Sequence, residues 1–580
     1  MFQLKWLWKN MGDSKKDFMW ANVLNVLTSI IYIIFLVDLQ RRIVDDCVTK
    51  QDTTLLLPYL GGIVLLTLLR NVFRFLMHYL YEKNVQKTAD NIRAKLYHVI
   101  EHSDYKFLGK NRTGDLMTRL SSDIDTAMNV INYIALVGVD QIAVLVSCFL
   151  YLVFIDWRLT LMILTVAPIV TILTLTFSKV MRPLYNNLRN KLSDINTVAQ
   201  ENIEGNRVVK AFAREDYENK KFDVENREFR AINLQATYKT VKYQPVISFL
   251  SQVVGVVIMV VGGIYMINGD ITAGGFLAFT SMSWTLITPI VNLGNIAVTY
   301  QRCAASINML IDVYYSVPSI MDRADAEDPK KRAEGEIEFK NVSFTINEKK
   351  IVDDINFKIK SGATLGIMGT TGSGKTTLTN LLMRFYEPQE GEILMDGKNV
   401  NLYTLDYLRK SMGIAMQDVF LFSETVDGNI AYGRPDMSHE EAVKYAEVAD
   451  ADKFINNLSD GYQTVIGERG VGLSGGQRQR IALTRALAVR PSVLILDDTT
   501  SAVDMETEQY IQNQLKNLDF DCTKIIIAQR ISSVQDADEI IFMDEGRIIE
   551  RGTHAELMAL EGAYYNVWNL QNKMKEEVKE

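Results

Sequence analysis

The sequence predicts two unlike halves: an α-helical membrane domain of six transmembrane helices with long cytoplasmic extensions, then an α/β P-loop domain. Three observations predict this. Uncharged apolar windows crowd residues 1–302. After Pro318 the composition turns mixed and charged, with strand-like and helix-like runs in alternation. A complete G-x-x-x-x-G-K-[ST] loop then stands between an apolar strand and a helical run.

Whole-chain averages hide that division. A mean hydropathy of +0.02 and a net charge of −8 are averages over two solvents. With 48% of 580 residues hydrophobic, a disordered chain is excluded. Lys and Arg number 62 against 70 Asp and Glu, so no basic surface marks a nucleic-acid partner. Four cysteines are too few for a disulfide scaffold or a Cys-rich zinc domain in a chain of this length.

The membrane half reads as apolar windows at 18–37, 53–69, 126–155, 159–178, 243–269 and 271–301, with only Asp140 interrupting the third. A bilayer core about 30 Å thick needs roughly 20 helical residues to cross. Six such segments with almost no polar face have no place in a soluble core. Lys5, Lys9, Lys15 and Lys16 hold the N-terminus in the cytoplasm, and an even number of spans places both termini there. The outer turns are then short, at 45–52, 156–158 and 268–270. The inner connections, 70–125 and 179–242, are long, charged and poor in Pro, so they extend the helices beyond the bilayer. Residues 2–8, with Leu4, Trp6, Leu7 and Trp8, predict an interfacial helix. Asp13 and Asp17 separate it from the first span, unlike a signal peptide.

Polar residues inside this half mark a candidate substrate cavity. Asp140 lies about 22 Å of helix from the outer end at Ile155, toward the inner leaflet, where an ionisable side chain faces a cavity or a partner helix. Arg70, Arg74 and His78 fall at i, i+4 and i+8 on one helix face. That stripe either lines an inward-opening vestibule or snorkels to the inner headgroups. Trp284 is a candidate for substrate contact or for packing.

The second half carries the sharper chemistry. Gly369, Thr370, Thr371, Gly372, Ser373, Gly374, Lys375 and Thr376 form the P-loop, after the strand 364–368 and before the helical run that begins at Thr377. Its glycines let backbone N–H groups face the phosphates of ATP, Lys375 neutralises the β and γ phosphates, and the Thr376 hydroxyl ligates Mg²⁺. Asp497 ends the apolar strand 493–497 and reaches the same Mg²⁺. Between them Leu473, Ser474, Gly475, Gly476 and Gln477 precede a helix and make a second phosphate-binding nest. One nucleotide needs one cradle, so the second is read as closing over ATP bound to another subunit.

On these motifs, LSGGQ above all, the chain resembles the ABC transporter family, specifically exporters that fuse six membrane helices to one P-loop ATPase domain. The resemblance spans nearly the whole chain. The expected division is a transmembrane domain at 1–322, a linker at 323–335, an ATP-binding domain at 336–571 and a charged tail at 572–580. The resemblance further implies that Gln417 is a Q-loop glutamine that ligates Mg²⁺, that 464–470 with Glu468 is an X-loop, and that Asp504 closes a D-loop. It implies nucleotide contact along the P-loop through Thr377, and intracellular loops with short coupling helices at 107–123 and 205–215.

Three positions depart from the family pattern. The glutamate expected after Asp497 is Asp498, whose carboxylate falls roughly 1.5 Å short, a displacement that matters to catalysis. The expected switch histidine is Gln529, which hydrogen-bonds but carries no charge. The adenine-stacking tyrosine is replaced by Ile346, with Phe344 as the alternative contact, although strand alternation lets only one of the two faces meet the base. In the head-to-tail dimer that the resemblance implies, this chain's LSGGQ serves a partner's site while its own site is impaired. The implied protein is one subunit of a heterodimeric bacterial multidrug-type exporter, multi-pass in the cytoplasmic membrane, with a different half-transporter chain as partner. Its cargo is expected to be an amphiphilic drug, lipid or peptide. A slow homodimer, or an ATP-binding regulatory membrane subunit that transports nothing, is the competing expectation.

Overall fold

The computed structural model describes residues 2–467 and 470–577. Glu468 lies outside the described residues. So does the side chain of Trp284, although its backbone runs within the last membrane helix. The chain forms two units. One comprises the chain up to His102 together with Arg112–Ser316, the other Ser103–Asn111 and the chain from Val317 on.

The first unit is a set of long helical rods, as the apolar windows and their charged extensions dictate. They are Lys15–Arg42 (continued as a π-helix over Ile43–Thr49), Leu56–Glu101, a run from Thr113 to Ile155, Trp157–Glu204, Glu215–Ile267 and Ala273–Tyr314. Among the described residues the helical stretches 12–49, 53–101 and 113–155 are long and apolar enough to cross a membrane by length and composition. The third rod is uneven: α-helical Ile124–Ile131 and Val139–Ile155 are separated by π-helical Asn132–Gly138.

Side-chain caps explain the outer ends. Asp156 accepts from the N–H groups of Arg158 (2.8 Å) and Leu159 (3.1 Å), so the predicted turn at 156–158 is an N-cap. The predicted outer turn at 45–52 is shorter than expected, because helix continues to Thr49. Within it Asp45 accepts from Thr272 Oγ1 and from the Gly274 N–H, both at 2.8 Å, and so ties the end of the first rod to the start of the sixth. The N-terminal helix Phe2–Asn10 forms as predicted. It buries Trp6 and Leu7 against protein and leaves Phe2, Leu4 and Trp8 exposed. The short helix Tyr105–Lys110 begins two residues before the predicted loop at 107–123, and Asn206–Ala211 lies within that at 205–215; the next rod already begins at Thr113.

The second unit builds a six-stranded sheet in the order Arg547–Gly552, Glu539–Asp544, Thr364–Gly369, Thr523–Ile527, Val493–Asp497, Met412–Ala415. All neighbours are parallel except the first pair. An antiparallel sheet of Lys349–Ile359, Ile337–Ile346, Glu390–Met395 and Lys398–Asn399 lies in the same unit. Phe339, Phe357 and Leu378 join the two sheets in one core with Ile527. A second core surrounds the helix Gly475–Ala488 with Ile481, Leu487, Leu494 and Tyr445. Residues 323–335 are pinned at their far end, where Arg332 donates to the carbonyls of Pro491 (3.0 Å) and Asp521 (2.8 Å). The helix Tyr105–Lys110 belongs to this unit through Tyr105, whose ring stacks on Phe385 at 4.5 Å.

A close helix-on-strand approach fixes Gly413. A Cβ there would lie 2.4 Å from the Ala486 carbonyl and 2.8 Å from the Pro491 ring. Gly413→Ala is therefore expected to destabilise the second unit by about 1–3 kcal/mol. A thermal melt of the full-length protein followed by tryptophan fluorescence checks this, and an unchanged midpoint would refute it.

Candidate functional site

The P-loop occupies the C-terminal end of the buried strand Thr364–Gly369, and Gly374 caps the helix Lys375–Leu382 that follows. Two of its glycines are obligatory. Gly369 has φ +147° and a Cβ there would lie 2.0 Å from the Met543 carbonyl; Gly374 has φ +96° and would place a Cβ 2.7 Å from the Ile351 carbonyl. Ser373 is buried, whereas Thr371 and Gly372 form the exposed tip and Thr377 is half-buried in the helix. Lys375 Nζ bends back over the loop and donates to the carbonyls of Gly369 (2.9 Å) and Thr370 (2.7 Å). Burial lowers its pKa, and the charges of Asp497 and Asp498 oppose that shift.

Thr376 Oγ1 donates to Asp497 Oδ2 at 2.8 Å, so two hard oxygen ligands stand together at the mouth of the loop. This donor set suits a small divalent cation bound alongside phosphate oxygens. Burial raises the Asp497 pKa against the Thr376 hydrogen bond.

The next residue turns the other way. Asp498 has φ +51°, a left-handed backbone that costs a non-glycine residue energy and recurs at functional sites. Its Oδ2 accepts from Gln417 Nε2 at 3.4 Å and from Gln529 Nε2 at 3.5 Å. Residues from three separate loops thus converge on one carboxylate oxygen. Burial raises the Asp498 pKa, opposed first by the Gln417 hydrogen bond and then by the charge of Arg530.

For the nucleobase position, Phe344 is 4% exposed, with its ring 5.4 Å from that of Tyr386, while Ile346 is 38% exposed. The strand therefore offers Ile346 to solvent and commits Phe344 to the core.

The signature residues open the helix Gly475–Ala488 with a reciprocal cap: Ser474 Oγ accepts from the Gln477 N–H at 3.2 Å and Gln477 Oε1 from the Ser474 N–H at 2.8 Å. Gly476 admits the Ala502 carbonyl, which would lie 2.8 Å from a Cβ there, while Gly475 has room. Asp504 caps the helix Met505–Lys516 by accepting from the Thr507 N–H at 2.9 Å, which lowers its pKa. Among the described residues no hydrogen bond joins Ser474–Gln477 to the P-loop.

In the membrane unit Arg70, Arg74 and Asp140, read separately from sequence, line one cavity of about 200 Å³ with His78, Asn25 and Ser29. Asp140 accepts from Ser29 Oγ and from Gln141 Nε2, and the Gln141 Oε1 accepts from Asn292 at 3.2 Å. The Arg70 guanidinium lies 3.7 Å from the centre of the Tyr32 ring. Among the described residues no carboxylate pairs with Arg70 or Arg74.

Several members of these sites escaped sequence reasoning. Asn25 and Ser29, four apart in the first apolar window, carried a usable signal, being polar residues on one face of a lipid-length run. Gln479 ties three motifs by donating to the Asp498 carbonyl (3.3 Å) and to Ser501 Oγ (3.1 Å) and accepting from the Ala502 N–H. Its place two residues after the signature gave no independent hint.

Comparison with known proteins agrees with this architecture. A family model described as the ABC transporter transmembrane region matches residues 18–290, and one described as ABC transporter matches 352–501. The ABC transporter ATP-binding protein YknU of Bacillus subtilis (strain 168), itself uncharacterized, is 36% identical over 560 residues, covering 96% of this chain and 95% of its own. An ATP-dependent lipid A-core flippase of Syntrophus aciditrophicus (strain SB) is 33% identical over 544 residues, covering 93% and 90%. The fold matches a bacterial Atm1-family ABC exporter solved with ATP bound, with a TM-score of 0.79 over 96% of this chain and 98% of that one at 24% identity. The chain belongs to the ABC transporter family, as a multi-pass membrane exporter whose ATPase domain couples ATP hydrolysis to transport.

Proposed function

We propose that this chain is the hydrolytically weak subunit of a heterodimeric exporter in a bacterial cytoplasmic membrane. The observation that carries the reading is the Asp498 carboxylate, shorter than the glutamate it replaces and bracketed by the amides of Gln417 and Gln529. A general base needs a carboxylate within reach of the attacking water, and the developing phosphate charge needs a cation or a strong donor. Asp498 meets the first requirement poorly, and Gln529 meets the second without charge.

The remaining parts of the site favour nucleotide binding. The P-loop N–H groups and Lys375 bind the phosphates, Thr371 to Thr377 line them, and Ile346 covers the base. Thr376, Asp497 and Gln417 hold Mg²⁺, which screens phosphate charge when bound. Ser474, Gly475, Gly476, Gln477 and Asp504 face a partner's nucleotide, consistent with the absence, among the described residues, of hydrogen bonds from Ser474–Gln477 to this chain's own P-loop. ATP on Lys375 then acts mainly as a clamp, and turnover at the partner's site resets the cycle. The cavity around Arg70, Arg74 and Asp140 takes amphiphilic cargo. Its mixed polar and apolar lining and the kinship with a lipid A-core flippase support that class.

ATPase activity of the full-length chain in lipid nanodiscs, alone and co-purified with the product of the adjacent reading frame, tests the pairing. The complex is expected to exceed the chain alone by on the order of tenfold. Robust hydrolysis by the chain alone, or loss of the complex's turnover in Asp498→Ala, would overturn it. The weak site should also show its own pH dependence. Because burial raises the Asp498 pKa, the proton-accepting carboxylate accumulates only as pH rises through that raised value. Slow hydrolysis by the chain alone is therefore expected to climb with pH along a limb displaced above the ordinary aspartate range, and a flat profile would exclude Asp498 as the acceptor.

For the cavity, all four native cysteines are buried, so labelling background is low. A water-soluble maleimide is expected to react with Asp140→Cys in the nucleotide-free protein. Complete inaccessibility would sink the assignment.

A further inference from the structure

The segment that follows the strand Thr523–Ile527 carries Gln529 and is gripped from two sides. On one side Arg530 donates to the carbonyls of Ser501 (3.1 Å) and Val503 (3.3 Å). The buried carboxylate of Glu508 pairs with Arg530 at 3.4 Å and accepts from Ser533 Oγ. On the other side stands Gln571, on the C-terminal helix Ala563–Glu577. Its Nε2 donates to the Gln529 carbonyl at 2.8 Å, and its Oε1 accepts from the Ile531 N–H at 3.1 Å. One side-chain amide thus spans the main chain on both sides of Arg530.

The chemistry of this bridge is specific. One partner is a carbonyl and the other an N–H, so only a group that donates at one end and accepts at the other satisfies both. The helix presenting it is well anchored. Tyr564 is fully buried, and its hydroxyl lies 2.7 Å from His554 Nδ1. Glu550 accepts from the N–H groups of Ala563 and Tyr564 at the helix start. Tyr564, Val567 and Trp568 share an apolar cluster with Ala528 and Ile531, the residues flanking the switch position, and with Met368 just before the P-loop.

We propose that Gln571 is a positioning residue for this chain's own nucleotide site, and that the C-terminal helix thereby sets how fast that site turns over. By holding the Gln529 carbonyl and the Ile531 N–H, it fixes the backbone from which the Gln529 carboxamide reaches Asp498 Oδ2. Displacements of about 1 Å at such a site alter rates strongly. The inference rests on the reading of Asp498 and Gln529 as occupants of the base and switch positions. Gln571 itself touches neither nucleotide nor cation; it acts through Gln529.

The test uses the full-length chain in nanodiscs, with single-turnover hydrolysis of γ-labelled ATP, ATP affinity, and hydrogen exchange over residues 528–534. Each is measured in the natural sequence and in an Asp498→Glu background, whose longer carboxylate is expected to raise turnover. Gln571→Leu is expected to slow hydrolysis about fivefold or more at unchanged ATP affinity. It should also speed exchange at the Ile531 amide while the strand pair Ile337–Ile346 and Lys349–Ile359 stays protected. In Gln571→Glu an ionised carboxylate still accepts from Ile531 but cannot donate to Gln529, whereas the protonated acid does both. At neutral pH, where an ordinary glutamate is ionised, the variant's rate is therefore expected to lie below the parent's and above that of Gln571→Leu. Unchanged rates for Gln571→Leu would overturn the proposal. So would a fall in rate and affinity together with faster exchange throughout the second unit. Rapid hydrolysis by the unmodified chain alone would defeat the weak-subunit reading while leaving the Gln571 ratios intact, so the two failures are distinguishable.

Discussion

The constraint on which the nucleotide site depends is the register of three adjacent parallel strands. Met412–Ala415, Val493–Asp497 and Thr523–Ile527 lie side by side, with Ala415 opposite Leu496 and Asp497 opposite Ile527. All three therefore end at one level, and the residues that follow them emerge together. Gln417, Asp498 and Gln529 come from stretches far apart in sequence, yet none is more than two residues beyond its strand. Their meeting at one carboxylate oxygen follows from backbone hydrogen bonding, and it is the geometry expected where ligands bind beyond the carboxyl ends of a parallel sheet. A one-residue slip of any strand would turn its side chains to the other face and scatter the set.

The contiguous motifs were legible because their chemistry is local. A P-loop is one turn between one strand and one helix; the strand formed where expected, and the helix began two residues earlier, at Lys375. LSGGQ was legible for the same reason, since its cap is made by Ser474 and Gln477 themselves. Strand alternation alone puts Phe344 and Ile346, two residues apart, on one face, and a register shift beside Phe344 separates them, with Phe344 buried and Ile346 exposed. Tyr386, more than 40 positions along the chain, claims Phe344 for the core. The membrane cavity was half legible. Helical spacing put Arg70, Arg74 and His78 on one face, and hydropathy made Asp140 conspicuous. Their sharing of a cavity depends on the rotation of one rod against another, and the π-helical turn at Asn132–Gly138 resets that rotation just before Asp140. No periodicity argument that assumes a uniform helix follows such a shift. Gln571 was invisible for a further reason: it makes side-chain bonds to a distant main chain, so neither its type nor its neighbours betray a role.

The membrane cavity shows how charge is held where a bilayer penalises it. An Arg–Asp pair would neutralise both groups, but it would also fill the cavity with its own salt bridge. Instead Asp140 is solvated by a hydroxyl and an amide, and Arg70 rests on the face of an aromatic ring. Each charge has a partner that leaves part of its hydrogen-bonding capacity free. A cavity so arranged keeps polar groups available to a polar moiety that enters with an apolar body, whereas a closed ion pair presents a nearly neutral wall.

The same logic, retention of contacts without retention of charge, runs through the nucleotide site. Substituting an apolar residue at the switch position would leave Asp498 with one donor fewer and loosen the strand ends. Glutamine keeps the donor and loses only the cation. Aspartate at the base position keeps a carboxylate for Gln417 and Gln529 to hold and loses only reach. On the reading proposed above, both replacements keep the hydrogen bonds to Asp498 and weaken the terms that matter most in the transition state, proton abstraction and charge compensation. That reading separates ground-state binding from transition-state stabilisation within one site. A subunit of the proposed kind would gain a nucleotide-dependent clamp whose lifetime slow chemistry sets, and the proposed grip of Gln571 on the Gln529 segment would tune that lifetime.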